Sequence, residues 1–207
     1  VNRIIFITEN IVSTSGEDTR ENSLIGRVAA QIIELNSMST EDPIYVVIDT
    51  DGGNLKTALS LFDILRSSIA PVHTLGLSEV SSAGVLIFLA GDKRIAFPRT
   101  QFMTHPSTLN VTGSSLDFKT TSETLSSQGE IVKDLFKDRA NISKKKFEKL
   151  HSKVNFMWAD RAKKEGIVTQ IEHKLPIELI QHKTDKNFAE AAMHLQGLAE
   201  IIGMMQQ

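Results

Sequence analysis

The chain is predicted to fold as one α/β domain of strand-helix-strand units around a largely parallel sheet. Three observations predict it. Short β-branched runs alternate along the chain with amphipathic stretches at helical spacing. One of those runs, Ile44 to Ile48, is almost wholly apolar, as a strand covered on both faces must be. The 207 residues are also enough for one domain with a full core, or a domain with a modest appendage, without a disulfide or metal staple.

Taken in order, Ile4 to Ile7 reads as the first strand, Ser13 to Asn22 as a polar loop, and Leu24, Val28, Ile32 and Leu35 as the apolar face of a helix. Ile44 to Ile48 is the second strand. It runs into Thr50-Asp51-Gly52-Gly53-Asn54, then into a helix with Leu55, Leu59, Phe62 and Leu65 on one face, stopped by Pro71. Val72 to Leu77 is the third strand. Ser81-Ser82-Ala83-Gly84 then opens a helix, Val85 to Ala90, that is apolar all round and so deeply buried. Two short strands follow, Arg94 to Phe97 and Phe102 to Thr104, separated by Pro98.

Beyond His105-Pro106 the segment Ser107 to Gly113 is polar and β-prone, and a long helix runs from about Leu116 to Arg139. Its clearest apolar contacts are Leu125, Ile131, Val132, Leu135 and Phe136. An extended arm followed by so long a helix exceeds what one core needs, and the pair is expected to project toward a neighbouring subunit. Ser143 to Lys153 is a basic helix capped by Ser143, and Trp158 to Lys164 is a short helix ending at Gly166. From Asp185 onward, Phe188, Ala191, Leu195, Leu198, Ile202 and Met205 form an amphipathic face, expected to serve core packing or subunit contact.

Composition removes several classes of function. The 23 basic and 25 acidic residues give a net charge of -2, without the basic excess that nucleic acid or an anionic membrane calls for. The absence of cysteine excludes disulfides, thiolate metal sites and a cysteine nucleophile. No apolar run reaches the roughly 18 residues of a membrane span. The start, Val1-Asn2-Arg3-Ile4-Ile5-Phe6, lacks the features of a signal peptide, so a soluble, cytoplasmic protein is expected.

Three positions are left that can carry chemistry. Ser82 lies between a strand and a buried helix, where the first turn offers unpaired N–H groups and the positive end of the helix dipole. That suits a nucleophile, although on position alone a plain N-cap is the better reading. Gly52-Gly53 ends the preceding strand, and a glycine pair lets backbone present an N–H to a substrate carbonyl; a tight turn is the plainer alternative. His105 follows a strand and is held extended by Pro106, in a setting where a lone histidine is more often structural. All three fall at strand ends of one sheet, where open α/β sheets bind ligands.

Over about residues 3 to 171 the sequence resembles the ClpP family, the proteolytic subunit of the Clp protease, within the ClpP/crotonase superfamily. The likeness rests on Arg3-Ile4-Ile5-Phe6, on Ile48-Asp49-Thr50-Asp51-Gly52-Gly53 where the family has Ile-Asn-Ser-Pro-Gly-Gly, and on Ser82-Ala83-Gly84 followed by Leu89-Ala90-Gly91. It continues through Arg94 to Pro98, Met103-Thr104-His105-Pro106 and Asn155-Phe156-Met157, closing at Glu165-Gly166-Ile167-Val168. The resemblance implies a ClpP-like α/β domain over 1–171, a projecting handle strand and helix at about 107–141, and a C-terminal helical extension over 172–207. It further implies a serine peptidase acting on small or unfolded polypeptides, with Ser82 as nucleophile, His105 as general base, and the N–H groups of Gly53 and Ala83 as oxyanion hole. No metal or cofactor takes part in that chemistry. Homo-oligomeric rings joined through the handle are implied as well. Partnership with an ATP-driven unfoldase is left open by the resemblance, since this sequence starts at the family's first strand and the segment before it helps couple to the unfoldase.

One family position departs from the pattern. The third triad member is an Asp two residues before the Phe of the Asn-Phe-Met segment, and here that position is Val154. Valine neither orients an imidazole nor stabilises its cation. Asp160 and Glu79 are the acids nearest the motifs in sequence. The competing reading is a non-catalytic subunit of the same fold. An acyl-CoA-processing crotonase is disfavoured by the Ser-Ala-Gly and His-Pro pair, and a Ser-Lys peptidase by the lack of a suitably placed lysine.

Overall fold

The computed structural model describes residues 3–13, 23–108 and 112–176. Its sheet is built on strands β1 (Ile4–Ile7), β2 (Ile44–Thr50), β3 (Val72–Ser81), β4 (Lys93–Ala96) and β7 (Gln170–Ile171), adjacent in that order and parallel throughout. Parallel neighbours need crossovers. Helix α1 (Leu24–Met38) supplies the first, burying Leu24, Val28, Ile32 and Leu35 as their spacing predicts. Its Ser23 cap accepts from Gly26 N–H. The Arg3 guanidinium reaches the other end, donating to the carbonyls of Leu35, Ser39 and Asp42.

Helix α2 (Leu55–Arg66) is capped by Asn54, which accepts from Thr57 N–H. Its fully buried stripe is Thr57, Ala58, Leu61, Phe62 and Leu65, whereas Leu55 and Leu59 pack at the margin of the core. The buried face is therefore rotated by part of a turn from the one the sequence predicts. Helix α3 (Ala83–Leu89) is buried at every position, as a helix apolar all round must be. It seats Phe88 against Phe102, ring centroids 5.1 Å apart. Each such buried side chain contributes about 1.5–3 kcal/mol through burial.

Strand β3 extends four residues beyond the expected Leu77, and this places the site. Residues 73–76 pair with β4, and residues 79–81 pair with β5 (Gln101–Thr104). Opposite β2, Ile48 faces Gly76 but Thr50 faces Val80, so two residues of β2 span four of β3. The resulting bulge is held by the Asp49 carboxylate, which accepts from Ser78 Oγ and Glu79 N–H, each at 2.8 Å. The polarity of Ser78 and Glu79, which hides the strand in the sequence, serves this bridge.

Strand β5 pairs antiparallel with β6 (Asn155–Trp158), and neither β6 nor β7 is among the strands the sequence predicts. Helix α4 (Ser115–Ala140) is the expected long helix. Its N-terminal half is largely exposed, with Leu116 at 68% and Phe118 at 54%, and only Val132, Phe136 and Ala140 are buried. Helices α5 (Lys144–His151) and α6 (Ala159–Lys164) agree with the sequence, including the Ser143 cap and a positive φ at Gly166. The expected handle strand is not formed at Ser107, Thr108, Thr112 or Gly113, while residues 109–111 lie outside the described set. An extended segment forms a ladder only beside another strand, and none lies next to these residues among those described. The loop at 14–22 and the amphipathic tail from Asp185 also lie outside the described residues. Among the described residues, no helix is long and apolar enough to cross a membrane.

Candidate active site

The end of β3, the start of α3 and the end of β5 bring Ser82 and His105 together, with Ser82 Oγ 2.6 Å from His105 Nε2. Ser82 has φ 53° and ψ -120°, a left-handed conformation that a non-glycine residue adopts only under constraint. The constraint is visible on both sides: Ser82 N–H donates to Met103 O at 2.8 Å, and its carbonyl accepts from Val85 N–H in the first turn of α3. Its side chain makes no capping bond, so the N-cap alternative for Ser82 is not realised. The hydroxyl is turned toward the imidazole instead.

Gly53 (φ 140°) forms an isolated parallel bridge with Ile11: Ile11 N–H donates to Gly52 O, and Asn54 N–H donates to Ile11 O. A Cβ at Gly53 would strike the Ile11 carbonyl, and one at Gly52 (φ 99°) would lie 2.6 Å from Ser81 O and Ser82 Cβ. The bridge uses the groups flanking Gly53 and leaves the N–H of Gly53 itself without a bond to Ile11. Ala83 is the first residue of α3, where no preceding turn exists to receive its N–H. Gly53, Ala83, Ser82 and His105 all line one cleft of about 920 Å³.

One wall of that cleft is apolar. Leu86 stands one turn beyond Ser82 on α3, and Val132 and Phe136 of α4 line the cleft together with Phe147 and His151 of α5. The Phe147 and His151 rings stack at 4.0 Å, and Phe136 meets both edge-on at 5.5 and 4.8 Å. Burial pushes the His151 imidazole down to about 4; the hydrogen bond to Phe147 O opposes this and the neighbouring His105 adds to it. The wall is thus uncharged at neutral pH. Sequence reasoning missed His151, although its spacing of four from Phe147 on an otherwise basic helix was the available signal.

Among the described residues, no carboxylate bonds the second nitrogen of His105. Nδ1 lies 2.7 Å from the Pro106 carbonyl. The β5–β6 ladder ends at the pair Thr104 and Asn155, with His105 and Val154 the residues that follow and precede it in the chain, and Val154 is 56% exposed. Neither acid considered from sequence takes that place. Glu79 Oε1 accepts from Ser81 Oγ at 2.5 Å, and Asp160 sits exposed in the first turn of α6. Among the described residues, no cluster of three or more His, Asp or Glu side chains is placed to hold a metal ion.

Comparison with known proteins gives the family and the fold. The family model for Clp protease matches residues 2–174. An ATP-dependent Clp protease proteolytic subunit 2 from Treponema denticola is 25% identical over 168 residues, covering 80% of this chain and 83% of that protein. A corresponding proteolytic subunit from Deinococcus radiodurans is 27% identical over 171 residues, covering 82% and 79%. The solved structure of a ClpP1 point mutant from Listeria monocytogenes superimposes with a TM-score of 0.71 at 24% identity, covering 84% of this chain and 93% of that one, and shares the fold.

Proposed function

The chain belongs to the Clp protease family, and from that premise we propose that it is a serine peptidase hydrolysing peptide bonds in small or unfolded polypeptides through an acyl-enzyme on Ser82. The observation that carries the proposal is the 2.6 Å contact between Ser82 Oγ and His105 Nε2, made by a serine whose backbone is held at positive φ.

In this mechanism an extended peptide lies in the cleft with an apolar side chain against Leu86, Val132 and Phe136. His105 Nε2 accepts the Ser82 proton as Oγ attacks the scissile carbonyl carbon. The tetrahedral oxyanion accepts from the N–H groups of Gly53 and Ala83, aided by the N-terminus of α3. His105 then returns the proton to the leaving amine, and the C–N bond breaks. Water, deprotonated by the same imidazole, releases the acyl group. Without a carboxylate on His105, the imidazolium formed in each step is less stabilised; loss of the triad acid costs about four orders of magnitude in rate in another serine protease. A slow peptidase is the consequence.

Assembly into rings through the handle is part of the same reading. Leu116 and Phe118 on the projecting half of α4 give an apolar surface for a second copy. The alternative, a non-catalytic subunit of the same fold, is favoured by Val154 alone. Hydrolysis of fluorogenic peptides with apolar residues before the scissile bond decides between them. Turnover that disappears in Ser82→Ala supports the peptidase, and turnover equal in the two proteins refutes it.

A further inference from the structure

A carbonyl oxygen accepts hydrogen bonds and cannot donate, so the 2.7 Å contact between His105 Nδ1 and Pro106 O requires the proton to sit on Nδ1. A neutral ring with Nδ1 protonated presents its lone pair at Nε2, the nitrogen 2.6 Å from Ser82 Oγ. That tautomer is the one a general base for Ser82 must have. In a Ser-His-acid triad a carboxylate enforces it. Here Val154 stands just before β6, next to the last ladder pair Thr104–Asn155, Glu79 is engaged by Ser81, and Asp160 is exposed on α6. The Pro106 ring fixes its own φ and biases His105 toward extended backbone, which narrows the positions the carbonyl can take relative to the imidazole.

We propose that the main-chain carbonyl of Pro106 is the orienting group of the Ser82–His105 pair, standing where other serine peptidases use a carboxylate, which makes Pro106 a positioning residue. The proposal rests on the peptidase reading. A peptide dipole fixes tautomer and ring orientation but brings no net charge to the imidazolium. An acid introduced at position 154 therefore adds charge stabilisation, and at the same time makes the carbonyl dispensable.

Two measurements test this. The first is steady-state peptide hydrolysis by the wild type, Pro106→Gly, Val154→Asp and the double variant. Freeing the backbone at 106 is expected to lower kcat about tenfold, the size of one neutral hydrogen bond, with KM little changed. Val154→Asp is expected to raise kcat, and the double variant to match Val154→Asp alone. An unchanged kcat in Pro106→Gly, or a double variant as slow as Pro106→Gly, overturns the proposal, the second because it makes Pro106 merely structural. The second measurement is the nitrogen-15 spectrum of selectively labelled His105 in the unmodified protein, which needs no turnover. A ring protonated at Nδ1 is expected; a ring protonated at Nε2, or an even mixture, overturns the proposal whether or not the protein cleaves peptides.

Discussion

Replacing His151 by Phe should remove a specific acid sensitivity from the fold. The imidazole is wedged between Phe147 and Phe136, and burial lowers it from 6.5 to about 4. A base with a depressed folded pKa binds fewer protons than in the unfolded chain between those values, so stability rises with pH there and is lost as pH falls. The contribution is complete above about 6.5 and gone below about 4. With each pKa unit worth about 1.4 kcal/mol, the linkage predicts that this one group removes about 2 kcal/mol between pH 7 and pH 5. The assay is urea unfolding of both proteins at several pH values and one fixed protein concentration, since assembly couples to stability. Phenylalanine keeps the stack on Phe147 and has no proton to bind. Subtracting one profile from the other isolates His151 from every other titrating group. A difference that grows by about 2 kcal/mol from pH 7 to pH 5 agrees with the reasoning, and parallel profiles refute it.

Three further changes test the packing and the oxyanion site. Gly53→Ala drives a methyl into the Ile11 carbonyl at a φ of 140°, and should cut kcat by about 10²- to 10³-fold through displacement of one oxyanion donor, read in the peptide assay. Phe136→Ala removes a ring that is 1% exposed from the cluster with Phe147 and His151, and should cost about 3–5 kcal/mol in urea unfolding at neutral pH. Arg94→Met strands the carbonyls of Ile167 and Gly166, which the buried guanidinium joins at 2.8 and 3.2 Å, while Gly91 O keeps its bond from Arg139. It should cost about 2–4 kcal/mol and speed amide exchange at Thr169, whose N–H bonds Arg94 O at 2.9 Å.

The parts of the fold legible in the sequence are those set by local periodicity. Leu24, Val28, Ile32 and Leu35 recur at helical spacing and are the residues α1 buries, and the continuous apolar run of β2 is covered on both faces. What escaped depends on partners distant in sequence. Strand β3 continues past Leu77 where residues 79–81 pair with β5 and the Asp49 carboxylate binds Ser78 and Glu79, and β6 exists as a strand because β5 offers it an edge. At the site, the positions of Ser82, Gly53 and His105 at strand ends were readable. The positive φ of Ser82, which aims Oγ at His105, was not, since serine carries no sequence signal for it. The Pro106 carbonyl belongs to the backbone, which every residue carries, and is invisible to any reading of side chains.

The central claim is a reactive serine oriented by its histidine, and covalent labelling by a fluorophosphonate probe addresses it without any choice of substrate. Intact mass of the wild type and of Ser82→Ala is followed over time at neutral pH. One adduct per chain is expected, absent in Ser82→Ala. Failure of the folded, assembled wild type to form an adduct would contradict the claim and leave the non-catalytic subunit as the reading of this chain.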